Sequence, residues 1–363
     1  MFRLQVLGAI ALVIQNNFRN AAVIALVLVC GACSGRPLQG VLVPEAQSAA
    51  GVSRVPILVA TTRQRSSNDP GEMFTGDPAR VLDYASITVS IPPESARKIG
   101  QIQWPTSVPG DPARDFMTVS ADYLDKQAFN AAISAVAKST KRNKVLVFVH
   151  GFNNRFDEAV YRFAQIVQDS QAPVIPVLFS WPSKGVVALD AYKSDVERAN
   201  ESRSALKQLL ESTALNRNVK EMTVLCHSMG CWPALEALRS IHAKNVLLVA
   251  PDVDVDVFRT EIEQMGKPRP RIALFVSHDD QALKLSKSIW GGKARLGDAT
   301  GQESYLSDFE REGILVFDLT SLEGDPHSQA FENAASVMGM VERRLAAGQQ
   351  MTESGPTVSD AGQ

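Results

Sequence analysis

Thr223-Val224-Leu225-Cys226-His227-Ser228-Met229-Gly230 is the stretch on which the reading of this chain turns. An apolar run ends at a serine flanked by small residues, and a helical pattern follows. A strand that stops, turns sharply and becomes a helix places such a serine on a strained turn, with its hydroxyl pointing out of the sheet. Residues two positions either side must be small, because strand and helix crowd there. Gly230 meets that demand; Cys226 stands where a glycine is usual, and is small enough to serve. The competing reading makes Ser228 only a helix N-cap. A serine hydroxyl is a weak nucleophile alone, so the chemical reading requires a histidine base and an orienting carboxylate.

The surrounding pattern supplies the frame for that turn. Val55–Thr61 and Ala85–Ile91 are β-rich runs, the second stopped by Pro92-Pro93, and Ile99–Trp104 and Phe116–Ser120 are further candidate strands. From Lys144 onward, strands at Val145–Val149, Val174–Phe179, Met222–Cys226, Val246–Val249, Ile272–Val276 and Ile314–Phe317 are interleaved with helical patterns. The helices are expected at Gln127–Ala137, Asp157–Gln168, Ser194–Leu210, Ala234–Ile241 and Ala330–Leu345. Continuous apolar strands alternating with amphipathic helices imply an α/β fold: a mostly parallel central sheet covered on both faces, with extra strands at its N-terminal side. Ligands of such sheets bind at the carboxyl ends of the strands.

Candidates for the remaining chemistry lie at those ends. His150-Gly151-Phe152-Asn153-Asn154 follows the first long parallel strand, where backbone N–H donors for an oxyanion belong, and the expected donors are the N–H groups of Phe152 and Met229. Of five histidines, His327 follows the last strand and stands after the serine and the acid, the order required of a base. His150 precedes the serine and reads as structural, His227 abuts it, His242 sits in a helix tail and His278 ends a strand. Asp280 is the favoured acid, with Asp279 and Asp252 as alternatives. Asn153, Trp181 and Trp232 are candidate pocket residues. Cys226 and Cys231, which bracket the turn, read as small buried hydrophobes rather than as a disulfide. No Cys/His cluster has metal-ligand spacing and no phosphate loop is present, so neither metal nor cofactor is expected.

The ends of the chain carry a different message. Arg3 and Arg19, the apolar run Ala21–Val29 and the small residues before Cys33 describe an export signal over residues 1–33. Gly31-Ala32-Cys33 resembles a bacterial lipobox, which makes Cys33 the candidate lipidation site and a membrane the expected partner through that anchor. Residues 34–52 read as a flexible tether, 53–346 as the domain and 347–363 as a polar, disordered tail. A composition of 45% hydrophobic and 21% charged residues in 363 suits a sizeable core, and a net charge of −2 argues against nucleic acid as a partner.

Taken together, Val59-Ala60-Thr61-Thr62-Arg63, Val89-Ser90-Ile91-Pro92-Pro93, Phe148 to Asn154, Phe179-Ser180-Trp181-Pro182, His227 to Gly230, Ala250-Pro251-Asp252 and Asp280-Gln281-Ala282-Leu283 resemble a bacterial family of uncharacterised α/β-hydrolase-fold proteins of the esterase/lipase superfamily, in a lipoprotein-type member. The resemblance spans about residues 55–345. It implies the α/β-hydrolase fold and a serine hydrolase triad of Ser228, Asp280 and His327, and it implies no substrate. The elbow of that family often lacks the first glycine, as here. Its histidine usually precedes Ser-Tyr or Ser-Phe, where this chain has Ser328-Gln329. The expectation is an exported, lipid-anchored carboxylic-ester hydrolase acting on a small-molecule or lipid ester; the alternative is an envelope lipoprotein that uses the same fold for binding or scaffolding.

Overall fold

A computed structural model of the chain describes residues 36–67, 69, 71–299, 304–333 and 337. The expected export signal, Cys33, the polar tail and most of the expected Ala330–Leu345 helix lie outside the described residues.

Nine strands form one sheet in the order β3-β2-β1-β5-β4-β6-β7-β8-β9. They are β1 (Ser53–Arg65), β2 (Phe74–Ile91), β3 (Met117–Leu124), β4 (Lys144–Val149), β5 (Ile175–Ser180), β6 (Glu221–His227), β7 (Asn245–Val249), β8 (Arg271–Val276) and β9 (Leu315–Asp318). Strands β1 to β3 pair antiparallel, and every pairing from β1–β5 to β8–β9 is parallel. The central parallel strands β4 and β5 are buried on both faces, which is why they read as unbroken apolar runs. Successive residues of β4 serve opposite cores: Val147 and Val149 one, Leu146 and Phe148 the other.

The first core is covered by α1 (Lys126–Thr140), α3 (Leu189–Glu201), α4 (Arg203–Ala214), α5 (Cys231–Leu238), α6 (Val255–Met265) and α8 (Ser304–Arg311). The second is covered by α2 (Phe156–Ser170), α7 (Gln281–Ile289) and α9 (Gln329–Glu332). Aspartates start three of these helices. Asp125 accepts from the Ala128 N–H at 2.7 Å, Asp254 from the Asp256 N–H at 2.9 Å and Asp280 from the Leu283 N–H at 3.0 Å.

Three expectations are corrected. Ile99–Trp104 is not a strand. The single helix expected at Ser194–Leu210 is two, divided at Ser202, whose hydroxyl bonds back to the Arg198 carbonyl at 2.8 Å and meets the Thr62 hydroxyl at 2.8 Å. The described part of the expected tether, 36–52, is packed: Val41 and Leu42 are buried, Val41 accepts from the Tyr161 hydroxyl at 2.8 Å, and Glu45 donates its N–H to Thr118 at 2.8 Å. Absence of periodicity there reflects absence of secondary structure, not of contacts.

Arg63, two residues beyond the last β1–β5 pair, is buried and spans the loops at the carboxyl edge. Its guanidinium donates to the Ser180 hydroxyl (2.8 Å) and to the carbonyls of Asn154 (2.7 Å), Ser183 (3.0 Å) and Thr75 (3.2 Å). Burial pulls its pKa down to about 10, against the opposing charge of Asp195. A planar guanidinium spreads five donors over three nitrogens in fixed directions; an ammonium has three on one nitrogen and cannot span the same four acceptors. We therefore expect Arg63→Lys to leave buried carbonyls unpaired and to cost about 2–4 kcal/mol, measured as a lowered urea midpoint.

Candidate functional site

The sheet order reverses direction at β4, and ligand sites of open α/β sheets lie at such a point. Register does the rest: Val149 of β4 pairs with Cys226 of β6, so the loop that starts at His150 emerges beside the turn that starts at His227. Ser228 is 5% exposed with φ of 51°, the left-handed region that a β-carbon disfavours. The two turns touch. A β-carbon on Gly230 would overlap the His150 carbonyl, and one on Gly151 would stand 2.9 Å from the Ser228 Cβ. Cys226 and Cys231 form a disulfide across this turn, correcting their reading as free buried hydrophobes. The elbow folds strand end and helix start together, bringing the two Cα atoms to 4.9 Å, within bridging range.

His327 lies on the loop after β9, and its Nδ1 is 2.6 Å from Oδ2 of Asp280, which is fully buried at the start of α7. A carboxylate only accepts, so Nδ1 carries the hydrogen and Nε2 is the basic nitrogen of the neutral ring. Burial alone would lower the His327 pKa, but the Asp280 charge and hydrogen bond raise it above its ordinary value. Burial alone would raise the Asp280 carboxyl, but His327 and the Leu283 N–H hold it below the usual carboxylate range.

Neither alternative acid is hydrogen-bonded to His327, although Asp252 lines the same cleft. Asp279 is exposed, with His278 3.6 Å away. Asp252 is buried and occupied: Oδ1 accepts from Arg295 (2.7 Å) and Ser286 (2.6 Å), and Oδ2 from the Tyr192 hydroxyl (2.7 Å).

Two further histidines are neutral, His150 buried and His227 half-buried. His150 donates from Nδ1 to the Gly151 carbonyl (2.9 Å), and its Nε2 accepts from the Ser180 hydroxyl (3.0 Å), itself held by Arg63. Burial and the nearby Arg63 charge push its pKa down to about 3, in keeping with its reading as structural. His227 was not assigned a part from sequence. Its Nε2–H donates to the carbonyl of His327 at 2.9 Å, its ring lies 4.7 Å from the His327 ring, and burial lowers its pKa to about 3. The residue before the serine thus ties the His327 loop to the end of β6. Adjacency to Ser228 was the only sequence signal for it.

Ser228, His327, Phe152 and Asn153 line one cleft of about 560 Å³. Met229, the other expected oxyanion donor, is buried beside Ser228. The cleft walls are largely apolar, with Trp104, Tyr192, Val186, Ile289 and Phe331 contributing. Neither tryptophan expected in the pocket lines it. Trp181 is fully buried, stacked on the His150 ring at 5.1 Å and donating to the His150 carbonyl at 2.8 Å, so it supports the loop from behind. Trp232 turns its indole N–H along α5 to Glu236 at 3.0 Å. A larger groove of about 720 Å³ lies beside the distal half of β2 and is lined by none of the three triad candidates.

Residues 125–344 match a family described as alpha/beta hydrolase of unknown function (DUF900). The chain is similar to a lipase-esterase related protein from Clostridium acetobutylicum, at 12% identity and a TM-score of 0.35 over 56% of this chain and 95% of that one. It is also similar to the siderophore hydrolase EstA from Aspergillus nidulans, at 12% identity and a TM-score of 0.37 over 86% of this chain and 99% of that one. No curated protein matches it.

The Asp280–His327 contact has a direct readout. In an NMR titration the His327 imidazole is expected to protonate above 6.5, its ordinary value. In Asp280→Asn the raising charge is gone while burial remains, so the midpoint should drop below that value. A midpoint unmoved by the substitution would contradict the contact.

Proposed function

Because this chain belongs to the alpha/beta hydrolase family of unknown function (DUF900), we propose that it is an exported serine hydrolase of carboxylic esters, anchored through a lipidated Cys33. The observation that carries the chemistry is the 2.6 Å contact of His327 Nδ1 with buried Asp280 in the cleft that holds the strained Ser228. Ser228 Oγ attacks the ester carbonyl carbon while His327 Nε2 takes its proton. The N–H groups of Phe152 and Met229 stabilise the oxyanion, each donor contributing ~2.7–4 kcal/mol at the transition state. Collapse of the tetrahedral intermediate breaks the C–O bond, and His327 returns the proton to the departing alkoxide. Water, deprotonated by His327, then releases the acid and restores Ser228.

The apolar cleft supports an ester with an apolar acyl group, since such walls stabilise a bound chain by removing it from water. The Cys226–Cys231 disulfide supports export, because disulfides persist in oxidising compartments. Among the described residues, no helix is long and apolar enough to cross a membrane.

Two measurements test the chemistry. A fluorophosphonate probe should label the wild-type chain and fail to label Ser228→Ala or His327→Ala; labelling that survives Ser228→Ala would remove Ser228 as nucleophile. His227→Phe keeps an aromatic ring but loses the donor to the His327 carbonyl. It should lower kcat by about 10–100-fold with little change in KM, because the base is displaced rather than the substrate. A rise in KM with kcat intact would place His227 in substrate binding instead.

A further inference from the structure

We infer that the mouth of the Ser228 cleft is a membrane-docking face, so that the ester enters from the bilayer; the inference rests on the anchored hydrolase reading above. Arg36, the first described residue, is itself part of the cleft wall. Its guanidinium donates to Asn153 Oδ1 at 2.5 Å and to the Gly185 carbonyl, and lies 3.6 Å from Glu158. The next residues stay fixed along the rim: the Pro37 carbonyl accepts from Arg155 at 3.0 Å, and Val41 and Leu42 are buried. Arg36 follows Cys33 by three positions, which span at most ~11 Å of extended chain. Acyl chains on Cys33 would therefore enter a bilayer close to the cleft, not at the end of a free tether.

The surface around that point suits such contact. Leu38 (43% exposed), Ile99 (49%), Val186 (51%) and Trp290 (38%) are large apolar side chains open to solvent. Each is at or close in sequence to a cleft contact: Leu38 to Arg36, Val186 in the wall itself, Trp290 after Ile289, and Ile99 before Gly100, whose carbonyl accepts from the wall residue Arg162 at 3.2 Å. Exposed Lys98 and Lys184 stand beside two of these segments, as attraction to anionic headgroups requires. Exposed apolar side chains with basic ones beside them are the composition of an interfacial surface. An opening so placed would admit an ester lying in the outer layer of the membrane without passage through water.

The test uses the full chain, expressed with its leader and reconstituted in vesicles of phosphatidylethanolamine and phosphatidylglycerol. Hydrogen exchange at 36–40, 98–100 and 184–188 should slow about tenfold or more on vesicles compared with detergent, with Val81 and Leu215 unchanged. Protection at Val81 or Leu215 instead, no rim protection, rim protection that follows protein concentration rather than lipid, or an unacylated Cys33 in the mature chain would each overturn the inference.

A paired substitution, Leu38→Asp with Ile99→Asp, lies outside the cleft lining. It should slow hydrolysis of a long-chain nitrophenyl ester embedded in vesicles about tenfold and leave a soluble nitrophenyl acetate within about twofold. Equal effects on both substrates would also overturn it. The two readings fail separately. Rim protection without cleavage of either ester keeps the docking face and rejects the hydrolase, and cleavage of both without rim protection does the reverse.

Discussion

The near-contact of two chain reversals, one after β4 and one after β6, is the constraint from which the rest of the site follows. Gly230 sits against the His150 carbonyl and Gly151 against Ser228 and the His227 imidazole, distances that no side chain at either position would permit. Parallel pairing of Val149 with Cys226 delivers the two turns to the same edge. Holding them there needs a support that does not compete for the space. Trp181 supplies it from below by bonding the His150 carbonyl, and Arg63 supplies it from the side through Ser180, Ser183 and Asn154. The disulfide between Cys226 and Cys231 closes the elbow itself. Strain at Ser228 is tolerated because every neighbouring segment is fixed independently of it.

Three imidazoles within this edge are assigned opposite work by their surroundings alone. His150 and His227 are enclosed without a carboxylate partner, stay neutral, and use their ring nitrogens as hydrogen-bonding struts. His327 has Asp280 against Nδ1, which reverses the effect of burial and leaves Nε2 as a base of raised pKa. In the proposed reaction this sets a sign for pH. The base works while neutral, so rate would be lost as pH falls through the His327 pKa, above the ordinary imidazole range. The buried Asp252 is a parallel case among the acids. Arg295, Ser286 and Tyr192 consume its lone pairs, so it holds the cleft wall and is unavailable to a histidine.

Much of this was legible because it is local in sequence. The elbow, the His-Gly turn after β4 and the order of Ser228, Asp280 and His327 are patterns of a few residues each, fixed by the geometry of a strand end. Asp279 is set apart from Asp280 by facing outward, and buried Asp252 by the partners that occupy its carboxylate, neither of which a spacing encodes. Arg63, His227 and the packing of Trp181 were not legible as parts of the site. Their roles consist of contacts to residues about 30 to 120 positions away, and neither periodicity nor spacing encodes such contacts. The disulfide is illegible in the sequence for a related reason. Six consecutive residues usually extend too far to bridge, and only the sharpness of the elbow brings Cys226 and Cys231 together.

Residues 36–52 carry the most instructive discrepancy. Their composition of Gly, Ala, Ser and Gln without periodicity is that of a linker, and a linker would separate an anchored domain from its membrane by tens of ångströms. Composition reports whether a segment can bury itself; it does not report whether a surface built by other segments will accept it. Here the groove beside α2 receives Val41 and Leu42, and Tyr161 and Arg155 take up the carbonyls that an irregular backbone leaves over. The segment becomes part of the cleft through Arg36. A leader and a catalytic centre are usually independent modules joined by slack chain. In this protein the slack is absent next to the site, so in the proposed reading the point of attachment also sets the direction in which the cleft opens.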